Sequence, residues 1–460
     1  MGRRLGMDPE RVRDLGGRLR ASVGVLEGAS ATADRAAAAS LDPLSWGVQP
    51  GGIVLAPWSI AGTQIAAAQV RAAGAAVEEL VGRLFAEAAQ QLAASIDEGA
   101  AGAGRGRPAP EDAEALLVAA LGTGTQPYSA AEVARLWAAL SDAERRALIE
   151  EYADRLGGLA GVPYADRDAA NRLVLDRLLE DPGVPGSQRD ALAAVRAALD
   201  EAAALGTTVQ LVTLDFPEGA DPRAAIAFGD LDEAEYVGMV VPGMDNTVTK
   251  DMSKLTTAAY NLYEEQGALA GPDSSRATIA WMGYQTPGAV PNLAVLGEGR
   301  AKDGAGYLTS ELGGLHATGP DDRRVTVFAH SYGTRTATYS LSEGGSADAL
   351  VMFGSPGVAE PVTSAADLDV PAGEVYATRA EADGVAPIGL FGSGNLDPLD
   401  AGFGAEVFSS DGRPGYDSVD DHGMLLADES NGEKQGYLDR GSDSLHDMAL
   451  IGIGRGGEVR

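Results

Sequence analysis

The sequence contains no cysteine, only four histidines and, at 5% of residues, few aromatic side chains. The first absence excludes disulfides, zinc–thiolate sites and a thiol nucleophile. The histidines are scattered, with no H-E-x-x-H pair and no EF-hand spacing, so no metal is expected. No cofactor is expected either: Gly102, Gly104 and Gly106 lack the preceding strand and following lysine–serine pair of a phosphate-cradling loop. Positive charge is also scarce. Lysine and arginine number 35 against 67 aspartates and glutamates, a formal net charge of −32, which repels nucleic-acid phosphates and anionic lipid head groups. Neither is expected as a partner. No apolar run is long enough to span a bilayer, and Met1–Val12 carries basic residues without the apolar stretch of a Sec signal behind them. The expectation is a chain with no membrane span and no Sec signal.

What is present falls into two textures. Up to about residue 205 alanine dominates, with glycine, arginine and glutamate between. Asp8-Pro9-Glu10 is a helix start: Asp8 caps, Pro9 suits the first helical position and Glu10 the positive end of the dipole. Val12, Leu15, Leu19, Val23 and Leu26 then form one apolar stripe. After a break at Asp42-Pro43-Leu44-Ser45-Trp46-Gly47, a second stripe (Val77, Val81, Leu84, Ala88, Leu92, Ile96) pairs with the first, which predicts a helical hairpin over residues 1–98. Residues 99–111 are rich in glycine, proline and arginine and read as a linker. Residues 112–205 read as a helical lead-in, with one helix opened by Ser141 and Glu144 in capping-box spacing.

From Thr207 short β-rich runs alternate with amphipathic segments. The runs are 209–214, 224–228, 236–241, 278–281, 325–328, 349–353, 374–378 and 405–408, and helices are predicted around 253–266, 306–316 and 334–342. Continuous apolar strands separated by helices imply a mainly parallel sheet covered on both faces. Residues 206–460 thus form one α/β domain of ordinary size.

Within it, Ala329-His330-Ser331-Tyr332-Gly333 follows the apolar run Val325–Phe328 and precedes a helical segment. A serine at so sharp a strand-to-helix turn needs small residues two positions either side, and Ala329 and Gly333 supply them. In parallel sheets reacting groups come from loops at the carboxyl ends of strands. After 374–378 comes Asp383, with Glu381 as second choice; after 405–408 comes Asp420-Asp421-His422-Gly423. A serine hydroxyl is a poor nucleophile until an imidazole takes its proton, and the imidazole needs a carboxylate to fix its tautomer. Ser331, His422 and Asp383 fill those roles, in the chain order serine, acid, histidine of alpha/beta hydrolases. His446 is the alternative base. An oxyanion would need two N–H donors, one from Tyr332 and one from Gly243 or Met244 in the loop after 236–241. His330 is expected to pack under the turn, His316 to end a helix, and the segment 384–404 to form a lid or pocket wall.

These residues, with Val240-Val241-Pro242-Gly243-Met244, Ile279-Ala280-Trp281-Met282-Gly283-Tyr284, Phe353-Gly354-Ser355-Pro356-Gly357 and the stretch Tyr437 to Ala449, resemble a family. It is the alpha/beta-hydrolase domain of unknown function common in high-GC Gram-positive bacteria, whose members often carry long helical amino-terminal regions. The resemblance runs from about Leu136 to the C-terminus and implies an alpha/beta-hydrolase fold with Ser331, Asp383 and His422 as its site; it implies no substrate. Two features depart from the pattern: Ala329 stands where glycine is usual, and His422 to Tyr437 is longer than the usual spacing. The first hundred residues resemble a WxG-type hairpin associated with type VII secretion, although Trp46-Gly47 lacks the intervening residue. Tyr128–Glu132 and Tyr164–Asp168 fit a Y-x-x-x-[DE] secretion pattern. The expectation is a serine hydrolase acting on a small-molecule or lipid-like ester, cytoplasmic or exported by a type VII-like route, with helices that engage a protein partner. The alternative is a hydrolase-fold scaffold of little turnover whose helical front carries the function.

Overall fold

A computed structural model describes residues 48–49, 52–53, 110–123, 128–217, 221–271, 274–288, 297–393, 395–426 and 434–459. The chain divides into two compact units, Met1–Arg107 and Pro108–Arg460. In the first, the described residues are β1 (Val48–Gln49) and β2 (Gly52–Ile53), an antiparallel pair. The expected hairpin stripes, Trp46-Gly47 and most of the expected linker lie outside the described residues.

The second unit opens with helices α1 (Pro110–Thr123), α2 (Ala130–Ala138), α3 (Asp142–Leu156), α4 (Tyr164–Glu180) and α5 (Gly186–Ala203). Ser141 caps α3 as its spacing predicts: the hydroxyl accepts from the Glu144 N–H, and the Glu144 carboxylate accepts from the Ser141 N–H at 2.6 Å. A second capping box, Ser129 with Glu132, starts α2. The Y-x-x-x-[DE] stretch at Tyr128–Glu132 therefore has a local structural use. So does the other: Tyr164 is fully buried, and Asp168 pairs with Arg172 and accepts the Leu211 N–H.

The sheet that follows has eight strands: β3 (Val209–Asp215), β4 (Arg223–Phe228), β5 (Tyr236–Val241), β6 (Arg276–Met282), β7 (Arg324–His330), β8 (Ala349–Phe353), β9 (Val375–Thr378) and β10 (Glu406–Val407). Their spatial order is β10-β9-β8-β7-β5-β6-β4-β3. Every pairing is parallel except those of β4, which runs antiparallel to both β3 and β6. The helices between are α6 (Val248–Ala270), α7 (Gly299–Thr318), α8 (Gly333–Ser342), α9 (Val385–Ser393) and α10 (Asp443–Gly452). Alternate residues of each strand point to opposite faces. Ile226, Val240, Phe328 and Val351 accordingly join one core with α5, α6 and α10, whereas Val237, Ile279, Val327 and Ala329 join another with α7 and α8.

The lead-in helices, set apart from residues 206–460 by their sequence texture, are packed onto this sheet. Arg167 of α4 is 1% exposed and forms a two-pronged ion pair with Glu311 of α7 at 2.8 and 2.9 Å, while the Tyr164 hydroxyl donates to the same carboxylate. Side chains of α4 also run along the free edge of β3: Arg172 donates to the Val209 carbonyl, Asn171 to that of Leu211 and Arg167 to that of Val212, while Asp168 accepts from the Leu211 N–H. The pairing of β3 with β4 shifts register between Leu211 and Thr213, which frees the Val212 carbonyl for Arg167. Backbone polar groups at this edge are thus satisfied by polar side chains.

Candidate active site

Strand β7 ends at His330, and the chain turns at once into α8. Ser331 makes the turn with φ of +50°; among the described non-glycine residues only Asp245, at +59°, shares this left-handed conformation. Such backbone costs on the order of 1–3 kcal/mol and persists where the surroundings impose it. Both residues stand on loops at the carboxyl ends of adjacent parallel strands, β7 and β5. Those loops touch. A methyl group at Gly243 would lie 2.6 Å from the Ser331 Cβ, and one at Gly333 would lie 2.6 Å from the Pro242 carbonyl oxygen. Larger residues at either position would push the β5 loop away from the serine.

The remaining polar groups converge from loops after β9 and β10. The His422 Nε2 is 2.8 Å from the Ser331 Oγ, and its Nδ1 lies 2.8 and 3.0 Å from the two carboxylate oxygens of Asp383. Ser331 and Asp383 are 4% and 2% exposed, whereas the His422 side chain is 14% exposed. The Asp383 carboxylate has further donors. The Val385 and Ala386 N–H groups, at the start of α9, each reach Oδ1 at 3.0 Å, and the Tyr437 hydroxyl donates to Oδ2 at 2.9 Å. Burial alone would raise this carboxyl group. The His422 hydrogen bond and charge, with the Ala386 and Tyr437 donors, outweigh burial and hold it at about 2. It is ionised across the neutral range, and burial followed by the Asp383 charge pushes the Tyr437 phenol up, so that group remains a donor.

Burial, with the charge of His422 second, takes His330 down to about 3. Its ring packs beneath the turn, as expected, against Phe353, His422 and Tyr437. The other sequence-selected groups fall elsewhere. The ring nitrogens of His446 face Glu265 at 2.8 Å and the Tyr416 hydroxyl at 3.4 Å, so this alternative base is engaged by other partners than Ser331. Glu381 is exposed, and its N–H donates to Asp411. His316 lies in the last turn of α7 and contacts the Ser346 carbonyl. The N–H groups of Tyr332, Gly243 and Met244 have no acceptor among the described residues. No cluster of metal-ligating side chains occurs among the described residues, and no helix there is long and apolar enough to cross a membrane. Tyr437 escaped the sequence reading as an acid-orienting group, because a single tyrosine 54 positions after its partner leaves no spacing signal.

A mainly parallel sheet of this order, with a positive-φ serine where its central strand bends into a helix, is the architecture of an alpha/beta hydrolase. Residues 218–392 match the family described as alpha/beta hydrolase, a span that includes Ser331 and Asp383 and stops short of His422. The uncharacterized protein Mb0988c of Mycobacterium bovis is 33% identical over 235 residues, covering 48% of this chain and 85% of that protein. The uncharacterized protein Rv2079 of Mycobacterium tuberculosis is 30% identical over 424 residues, covering 80% of this chain; the chain spans only 62% of that relative's length. Similar solved structures include an esterase from Pyrobaculum calidifontis, at 14% identity with a TM-score of 0.33, covering 63% of this chain and 99% of that one. A putative dienelactone hydrolase from Klebsiella pneumoniae gives 15% identity and 0.33, covering 54% and 99%. The chain belongs to the alpha/beta-hydrolase family.

Proposed function

We propose that this protein is a serine hydrolase that cleaves a carboxylic ester through an acyl-enzyme. The single observation that carries the reading is the continuous chain of hydrogen bonds from the Ser331 hydroxyl through both nitrogens of His422 to a buried, ionised Asp383. In the reaction the Ser331 Oγ attacks the ester carbonyl carbon while His422 Nε2 takes its proton, and Asp383 stabilises the resulting imidazolium. The tetrahedral oxyanion is received by the Tyr332 N–H, at the positive end of α8, and by that of Gly243 or Met244. Collapse of the intermediate breaks the bond to the alkoxy oxygen, which leaves as alcohol with the proton from His422. Water activated by the same ring then attacks the acyl-enzyme and releases the acid and the free serine.

A fluorophosphonate probe is expected to modify Ser331 in the folded wild-type protein and to leave Ser331→Ala unlabelled, read by intact mass and peptide mapping. A folded wild-type protein that stays unmodified at Ser331 would overturn the reading.

The segment after Asp383 suggests how an ester is held. Residues 384–396 carry no charged side chain in a chain that is 22% charged, and Val385, Ile388 and Leu396 are 37%, 72% and 46% exposed. Helix α9 starts at the N–H groups that hold Asp383, and Gly389 packs on Pro356 in the loop after β8. An apolar acyl chain laid against this wall would be shielded from water, at about 0.8 kcal/mol per buried methylene. Ile388→Asp is therefore expected to lower kcat/KM for p-nitrophenyl octanoate about 5- to 10-fold more than for the acetate. An equal effect on both esters would remove α9 from substrate binding.

A further inference from the structure

We infer that His330 is a positioning residue for the base: its imidazole ties the backbone of His422 to the strand that presents Ser331. The inference rests on the serine-hydrolase reading above and adds to it a group outside the triad.

His330 is the last residue of β7 and stands directly before Ser331. Its side chain is 6% exposed, and its Nε2 lies 2.7 Å from the backbone carbonyl oxygen of His422. A carbonyl only accepts, so the proton sits on Nε2. Nδ1 then carries a lone pair, and that atom is buried with no hydrogen-bond partner among the described residues. The ring lies 4.9 Å from the His422 ring, 5.1 Å from Phe353 and 6.1 Å from Tyr437, centroid to centroid. A benzene ring would fill such a pocket without leaving a nitrogen unpaired. What an imidazole adds there is one donor, and that donor points at the residue bearing the base.

The His422 segment needs such a tie. Residues 418–426 belong to no helix or strand. They are held by scattered bonds, Val419 to Ser410, Asp420 to Gln435, and Tyr437 and Leu438 back to Gly423 and Met424. None of these bonds attaches the segment to β7. The His330 bond does, so nucleophile and base take their positions from two consecutive residues, the last of a buried strand and the first of the turn that follows it. Misplacement by about 1 Å can cost on the order of 10²-fold in rate, and the 2.8 Å contact between Ser331 and His422 is the distance at stake. Burial keeps the His330 ring neutral down to about pH 3, so the tie adds no charge beside the imidazolium that forms during turnover.

The test compares His330→Phe, which fills the space without a donor, with His330→Gln, which restores an N–H donor. In the phenylalanine variant kcat for a p-nitrophenyl ester is expected to fall about 10- to 100-fold with KM little changed. The glutamine variant is expected to recover most of the loss, with both variants folded by thermal melting. If phenylalanine prevents folding, His330→Met removes the donor in its place. A second readout is the downfield proton resonance of the His422 Nδ1–H that faces Asp383, expected sharp in wild type and glutamine variant and broadened in the donor-less one. Wild-type kcat in His330→Phe, or equal losses in phenylalanine and glutamine variants, would reduce His330 to packing. Should fluorophosphonate leave wild-type Ser331 unmodified, the enzymatic reading falls, while the resonance still decides whether His330 sets the His422 ring.

Discussion

Alanine at His422 is expected to lower kcat for an activated ester on the order of 10⁴- to 10⁶-fold, with the fold intact by circular dichroism and thermal melting. The ring is the only group within hydrogen-bond distance of the Ser331 Oγ among the described side chains, so without it the hydroxyl keeps its proton at neutral pH. Asp383→Asn should cost about 10⁴-fold, because an amide at that position favours the wrong tautomer of His422. His446→Ala is expected to turn over at the wild-type rate, since its nitrogens are engaged by Glu265 and Tyr416. A His422→Ala protein within tenfold of wild type would sink the mechanism.

The second large effect is on stability. Arg167→Ala is expected to destabilise the 108–460 unit by about 3–5 kcal/mol, measured by denaturant unfolding. The loss strands more than one partner. Glu311 is left as a buried carboxylate facing the Tyr164 hydroxyl alone, and the Gly157 and Val212 carbonyls lose the guanidinium that reaches them at 3.1 and 2.9 Å. The double variant Arg167→Met, Glu311→Met should recover much of that loss, because a buried pair replaced by apolar groups of similar volume removes the desolvation cost along with the attraction. A single substitution costing less than about 1 kcal/mol would show that the pair does not bind the lead-in helices to the sheet.

How far the sequence revealed all this depended on the kind of signal each feature leaves. Each of the eight runs coincides with a strand to within a few residues; seven belong to largely buried strands, where both faces must be apolar, whereas β10 (Glu406–Val407) is exposed at the edge of the sheet. Ser331 was legible from Ala329 and Gly333, and Asp383 and His422 from their positions after strand ends, since backbone sterics and strand polarity are local facts. The direction of β4 was not, because a fully buried run reads alike either way round. The shortness of its link to its neighbour β3 was the usable clue: parallel neighbours need crossovers of a dozen residues or more. That His446 faces Glu265 rather than Ser331 was not legible, because the two residues stand 181 positions apart in sequence. The Arg167–Glu311 pair spans 144 residues, and no local pattern announces a partner that far away. The texture change near residue 205 marks a change of secondary structure, and α4 packs on β3 across it.

The seam between α4 and β3 has one more consequence. A terminal strand with open amides and carbonyls is an invitation to any extended segment, including the same strand of another copy. Here Asp168, Asn171, Arg172 and Arg167 occupy that ladder, so α4 serves as a gatekeeper against self-association. A shortened protein starting at the apparent α/β boundary would keep Ser331, Asp383 and His422 and yet expose a sticky rim, and it is expected to be lost to aggregates before its chemistry could be assayed.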